Sequence, residues 1–238
     1  MSESTSESTT ESTSESIVKH TSKTAITMIA FAFLGTALLA YVFEITRAPI
    51  EASEAEARLA LFKQILPENS YDNNLLKQTI KIAPNELLGN HRSTEANIAI
   101  LNHKMAAVIL EAVAHDGYSG DIKLLIAIRA DGSISGVRVL THKETPGLGD
   151  YIDVAHSQWI RLFNDESLAK TAAEHWQVKK DGGKFDYMVG ATITPRAVVK
   201  AVLKAEQYFA MNKESLSSNP ENAASVQANL IQKPKDKS

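Results

Sequence analysis

Asp186-Tyr-Met-Val-Gly-Ala-Thr-Ile-Thr-Pro195 is the stretch from which the rest of the chain is read. It reads as a strand that turns through Gly190 and Ala191 into a helix. Thr194 is a good N-cap, and Pro195 suits the first helical position, where a missing N–H costs nothing. The following residues carry Val198, Val202, Ala205 and Phe209 on one face and Arg196, Lys200 and Lys204 on the other, which predicts an amphipathic helix. Small residues before a helix N-terminus make a seat for a phosphate, because free N–H groups and the helix dipole both favour negative charge. Thr192 sets a hydroxyl at that seat. Taken alone, these residues also read as nothing more than a turn and a cap.

Outward from this stretch, composition narrows the chemistry. The chain has 238 residues, a net charge of −3 and no cysteine. The charge and the lack of a basic stripe argue against a nucleic-acid partner. The missing cysteines exclude disulfides, Cys-held iron–sulfur clusters and c-type haem within the chain. A redox role therefore requires an organic carrier, or one held by His and carboxylates.

Residues 2–16 repeat Ser, Glu and Thr without an apolar side chain, which predicts a disordered tail over 1–22. From Thr24 to Phe43 no charge occurs, and about 20 apolar residues match the length of a bilayer-crossing helix, predicted over 23–45. A cleaved signal peptide fits less well, since the run is long and Ala48-Pro49 is a poor cleavage site. Lys19 and Lys23 on one side, and Arg47, Arg58 and Lys63 on the other, leave the orientation undecided. Glu51 to Leu66 repeats Ala55, Leu59, Phe62 and Leu66 at helical spacing and stops at Pro67, so 46–90 reads as a stalk helix and an Asn- and Pro-rich linker.

A domain over 91–211 follows. Strands are predicted at Asn97–Leu101 and Met105–Ala114 around Asn102-His-Lys104, and at Ile122–Ala130 and Ser133–Thr141 around Asp131-Gly132. Asp153–Phe163 reads as helical, and Trp176–Val178 as a short strand. The expected class is α+β, an antiparallel sheet with helices against it. Residues 212–238 read as a disordered tail.

Thr141-His-Lys-Glu-Thr-Pro-Gly-Leu-Gly149 ends a strand in a glycine-punctuated loop. His142 and Glu144 share a face at strand spacing, but two ligands are too few for a metal site. Gly147-Leu-Gly149 is not a dinucleotide fingerprint, because Ile152 occupies the third glycine position. The plain reading is a rigid loop whose glycines permit close backbone approach.

The opening stretch resembles the flavinylation motif of membrane-anchored FMN proteins: Asp, a spacer, Ser/Thr-Gly-Ala-Thr, then Thr or Ser. Val189 stands where that family usually carries Ser or Thr. His142 to Gly149, Asp116-Gly-Tyr-Ser-Gly120 and Lys179-Lys-Asp-Gly-Gly183 resemble the G subunit of the Rnf (Rsx) electron-transport complex. A more distant likeness is to the C subunit of the sodium-pumping NADH:quinone reductase. The resemblance runs from the apolar helix to about Ala210.

It implies FMN joined to Thr192 by a phosphoester, in a single-span component of an ion-translocating ferredoxin/NAD-type complex, with no independent turnover. The flavin domain would lie on the periplasmic side of the bacterial cytoplasmic membrane. Expected partners are the other membrane and peripheral Rnf subunits, membrane lipid and a flavin transferase. The implied cofactor site takes in Asp186, Gly190, Ala191, Thr194, Tyr118, Ser119, His142, Glu144, Thr145, Pro146, Gly147, Leu148 and Lys180. Pro146-Gly-Leu148 would wall the isoalloxazine, Tyr118 would stack on it, and Lys180 with Arg196 would offset the phosphate charge. A membrane-anchored flavin sensor and an anchored module without flavin are the alternative readings.

Overall fold

The computed structural model describes residues 7–218, with side chains from residue 21 onward. The first element, α1, is Glu7–Ile65. Its backbone is helical from Glu7, within the stretch read from sequence as a disordered tail; residues 1–6 of that tail lie outside the described residues. The chain divides into two compact units at Glu56/Ala57.

In the first unit α1 exposes a dense apolar surface, with Ile26, Phe31, Phe33, Leu34 and Leu39 all more than half exposed. By length and composition it can cross a membrane. Its hydroxyls are satisfied within the helix: Thr27, Thr36 and Thr46 donate to the carbonyls of Lys23, Ala32 and Val42, each at 2.8 Å. Such back-bonding hides polar groups that would otherwise face apolar surroundings.

The second unit is built on a five-stranded antiparallel sheet in the order β1-β2-β3-β4-β5. The strands are β1 Thr79–Ile82, β2 Thr94–Leu101, β3 Lys104–Ala114, β4 Ile122–Arg129 and β5 Ile134–Thr141. Strand β1, paired with β2 through Thr79 and Asn97, lies in the stretch expected to be linker, so the domain begins well before residue 91. Both central hairpins turn where the sequence signals: Asn102 and His103 adopt φ of 51° and 61°, and Gly132 adopts 87°. Positive φ at both central residues suits a tight β-turn between twisted strands.

The middle strands are apolar on both faces. Val108, Leu110, Ala112, Leu124, Ile126 and Ile128 enter the larger core, while Ala107, Ile109, Leu125 and Ala127 enter a smaller one. This is the period-two alternation of a sheet covered on both sides. The smaller core is closed by Phe62, Ile65 and Leu66 at the end of α1. Arg138 on β5 donates to the Gln64 carbonyl at 2.9 Å and to its side chain at 3.0 Å. A Cβ added at Gly136 would stand 2.9 Å from the Ile65 Cα, so this glycine sets how closely the helix end packs.

The larger core is closed by α2 (Ile193–Ser217), which buries the expected Val198, Val202, Ala205 and Phe209. It continues past residue 212, into the stretch expected to be disordered; residues 219–238 lie outside the described residues. Asp153–Phe163 is not one helix. Short 3-10 turns at Gly149–Ile152 and Trp159–Phe163 flank a non-helical Asp153. Trp176–Val178 makes only an isolated bridge, Val178 with Phe185. These segments pack aromatic rings instead of forming a ladder: Trp159, Phe163, Phe185 and Trp176 lie in contact, centroids 4.8–6.3 Å apart.

Candidate functional site

Asp186 to Val189 is not a strand. Side chains from the aromatic layer fix its backbone instead. Trp159 Nε1 donates to the Asp186 carbonyl at 2.7 Å, and the Met188 N–H donates to the Tyr151 hydroxyl at 3.2 Å. The turn closes with Ala191 N–H on the Met188 carbonyl at 3.1 Å, and Gly190 takes a φ of +92° that favours glycine.

Helix α2 then starts at Ile193, two residues earlier than expected. Thr192, not Thr194, is the N-cap residue, and it makes no side-chain capping bond. Pro195 falls at the third helical position, where its absent N–H is still one of the unpaired first-turn donors. The hydroxyl of Thr194 is used elsewhere: it is 1% exposed and donates to Glu144 Oε2.

A cavity of about 340 Å³ opens at this N-terminus, lined by Tyr118, Glu144, Thr145, Leu148, Gly149 and Gly190 through Thr194. Three segments distant in sequence meet there, and Glu144 joins them. Its Oε1 accepts the Ser119 N–H at 3.0 Å while its Oε2 accepts from Thr194. The glycines serve this junction. A Cβ at Gly149 would stand 2.8 Å from Glu144 Oε2, and one at Gly117 would stand 2.2 Å from the Gly120 carbonyl.

The loop bearing Tyr118 is clamped at its neck. His115 Nδ1 contacts Asp121 at 2.9 Å and Nε2 contacts the Gly89 carbonyl at 2.8 Å. With two acceptors facing the ring, the Asp121 hydrogen bond above all holds the imidazolium form to higher pH than usual. Asp116 pairs with Lys200 on α2, whose hydrogen bond keeps that carboxyl below its ordinary range.

Thr192, Gly190, Ala191, Thr194, Tyr118, Glu144, Thr145 and Leu148 thus converge on the cavity. Ser119 contributes its N–H to the junction. His142 accepts the Glu144 N–H at 3.1 Å and does not line the cavity. Pro146 and Gly147 are exposed beyond the lining, with Gly147 at φ +75°. Asp186 pairs with Lys179 at 2.5 Å, and Lys180 lies in the 3-10 turn Lys179–Asp181, outside the lining. Arg196 is engaged in a two-pronged pair with Asp181, at 2.6 and 2.5 Å. Gly149, one of the loop glycines expected to permit close backbone approach, lines the cavity, as does Ile193, which the sequence reading does not single out within its motif. Tyr151 and Trp159 escape a sequence reading as site determinants too, because no local pattern links them to residues some thirty positions away.

An ion-translocating oxidoreductase complex G subunit from Pseudomonas aeruginosa (strain PAO1) is 46% identical over 202 residues, 85% of this chain and 94% of that protein. The chain belongs to this G-subunit family. The corresponding G subunits of Shewanella oneidensis and of Aliivibrio fischeri strain MJ11 are 40% and 38% identical, each over 84% of this chain and 94% and 95% of their own lengths. The FMN-binding domain family matches residues 117–207, a span that holds every residue lining the cavity. The RnfG N-terminal region matches residues 12–65, almost the whole of α1. A crystal structure of Shewanella oneidensis NqrC aligns with a TM-score of 0.43 at 20% identity, over 63% of this chain and 72% of that one, too loose a likeness to bear on the fold. In this G-subunit chain, then, α1 and the cavity-bearing domain correspond to two separately recognisable family regions.

Proposed function

We propose that this component of an ion-translocating oxidoreductase complex relays electrons through FMN carried in the cavity, esterified by its phosphate to Thr192. The observation that carries the reading is the contrast between the two hydroxyls of the motif. Thr194 is buried and committed to Glu144, whereas Thr192 lines the cavity at the start of α2 and makes no capping bond.

The residues present fit the group. The volume lies within the roughly 300–1,000 Å³ range of small-molecule sites. Tyr118, Leu148 and Ile193 offer apolar wall, and the first-turn N–H groups of α2 favour a phosphate beside Thr192. When bound, FMN supplies the electron-transfer chemistry. The chain supplies tethering, orientation and tuning. In the attachment reaction a separate flavin transferase cleaves the pyrophosphate of FAD; the Thr192 oxygen gives up its proton and takes the FMN phosphoryl group, and AMP leaves. A covalent tether retains the flavin in a cavity open to water. In this reading α1 anchors the domain on the periplasmic side of the bacterial cytoplasmic membrane, next to lipid and the other subunits of the complex.

The test is flavin fluorescence of the denatured protein in a gel, followed by peptide mass mapping. Wild type and Thr194→Val should both fluoresce, with FMN on the peptide containing Thr192. Thr192→Ala should fold and carry no covalent flavin. Fluorescence persisting in Thr192→Ala would sink the assignment.

A further inference from the structure

Glu144 is the single charged side chain in the lining of the cavity among the described residues, and it is 4% exposed. Both of its oxygens receive donors, the Ser119 N–H on Oε1 and the Thr194 hydroxyl on Oε2. Both acceptor positions are thus used, and the group lies at the N-terminal turn of α2, where a negative charge is favoured. Glu144 forms no ion pair among the described residues: Arg196, Lys200 and Lys179 pair with Asp181, Asp116 and Asp186, and the adjacent Lys143 is exposed and makes no ion pair with it. The cavity wall therefore carries a desolvated acidic side chain without an ion-pair partner among the described residues.

We infer that Glu144 sets the redox potential of the flavin site, holding it low by opposing the negative charge that reduction adds. This deepens the FMN reading and rests on it. The physical basis is Coulombic: a charge withdrawn from water is poorly screened, so its field reaches across the cavity. Glu144 also joins the three wall segments, so charge and architecture must be separated. Glu144→Gln does so. The amide oxygen still accepts from Ser119, and its NH2 group can donate to a reoriented Thr194 hydroxyl, so the junction survives while the charge disappears.

The experiment uses the full-length chain matured in cells with its flavin attached, and compares the midpoint potential by equilibration with redox dyes. Covalent flavin content and melting temperature are recorded for each protein. Glu144→Gln should keep its flavin and be reduced about tenfold more favourably, about 30 mV more positive for a two-electron couple. Glu144→Met, neutral and similar in size, should shift in the same direction even if the junction loosens. Thr194→Val removes a donor and leaves the charge, so its potential should not rise with those of the neutral variants. An unchanged potential in flavin-loaded Glu144→Gln would overturn the inference. So would failure of both neutral variants to carry flavin, which would make Glu144 a requirement for binding and not a tuner of potential. Absence of flavin from the wild-type chain would instead fail the FMN reading, and this inference with it.

Discussion

On one face of the sheet, the last turns of α1 supply Phe62 and Ile65, joined by Leu66 just past its end, over Ala107, Ile109, Leu125 and Ala127. On the other, α2 and a string of short turns cover nearly the full length of the strands with a layer that includes both tryptophans. The α1 face is closed by a few large side chains, one tight backbone contact and the hydrogen bonds of Arg138 to Gln64, and no cavity residue belongs to it. The α2 face carries buried carboxylates, long-range hydrogen bonds and the cavity itself. The difference teaches that this domain separates holding from tuning. The α1 face uses its few buried polar groups, such as Arg138, to fasten the helix end, whereas the other bears the desolvation cost of the polar groups at the site.

The largest expected effect breaks the α1 face. Phe62 is fully buried, and Phe62→Ala should lower the unfolding free energy of the domain by about 3–5 kcal/mol. Denaturant melts should show that loss, and a change under about 1 kcal/mol would mean that the end of α1 is a loose cover.

A pH titration sharpens the comparison from the α2 side. Glu206 on α2 is 2% exposed, and its Oε1 has no hydrogen-bond partner. Burial, with a further contribution from Asp131, pushes its carboxyl up from about 4.5 to about 8. A folded-state pKa above the unfolded one means that the unfolded chain gives up this proton first as pH rises. Stability should thus be greatest below about pH 4.5 as far as this group is concerned, and fall between about pH 4.5 and 8. Glu206→Gln should flatten that slope and stabilise the domain at pH 8. A variant that keeps the wild-type slope would assign the pH dependence to other groups.

A smaller loss is expected from the buried junction. Thr194→Val removes a hydroxyl donor from the Glu144 carboxylate and should cost about 1.5–3 kcal/mol. Were Thr194 merely a cap, Thr194→Ser would be neutral and the valine loss nearer ~1 kcal/mol. Last comes Gly136→Ala. The new methyl meets the Ile65 backbone and should cost about 1–3 kcal/mol, with a larger effect on thermal melting than Gly147→Ala has through its backbone strain alone.

Much of this fold was legible because it is local. Asn102-His103 and Asp131-Gly132 announce their hairpins by turn chemistry, and the Val198-Val202-Ala205-Phe209 stripe announces α2. The Gly190-Ala191-Thr192 turn was legible for the same reason. What failed depended on partners far away in sequence. Thr194 looked like a cap because nothing nearby hints that Glu144, fifty residues earlier, takes its hydroxyl. Asp186–Val189 looked like a strand because its anchors, Trp159 and Tyr151, replace a ladder that sequence patterns cannot distinguish. Strand β1 has only four residues and no turn motif of its own. The side chains that line the cavity were mostly found through motif resemblance, whereas Tyr151 and Trp159, which position it, were not.

The aromatic layer beneath the motif has an optical consequence. The chain's two tryptophans, Trp159 and Trp176, both belong to this run, and Trp159 reaches the backbone of Asp186 directly. Tryptophan emission therefore originates in the layer that supports the cavity, and it overlaps the absorption of an oxidised isoalloxazine. Excitation of the indoles would drain into a flavin held above them. The folded domain thereby contains its own donor for reading cofactor occupancy by energy transfer, with no label attached.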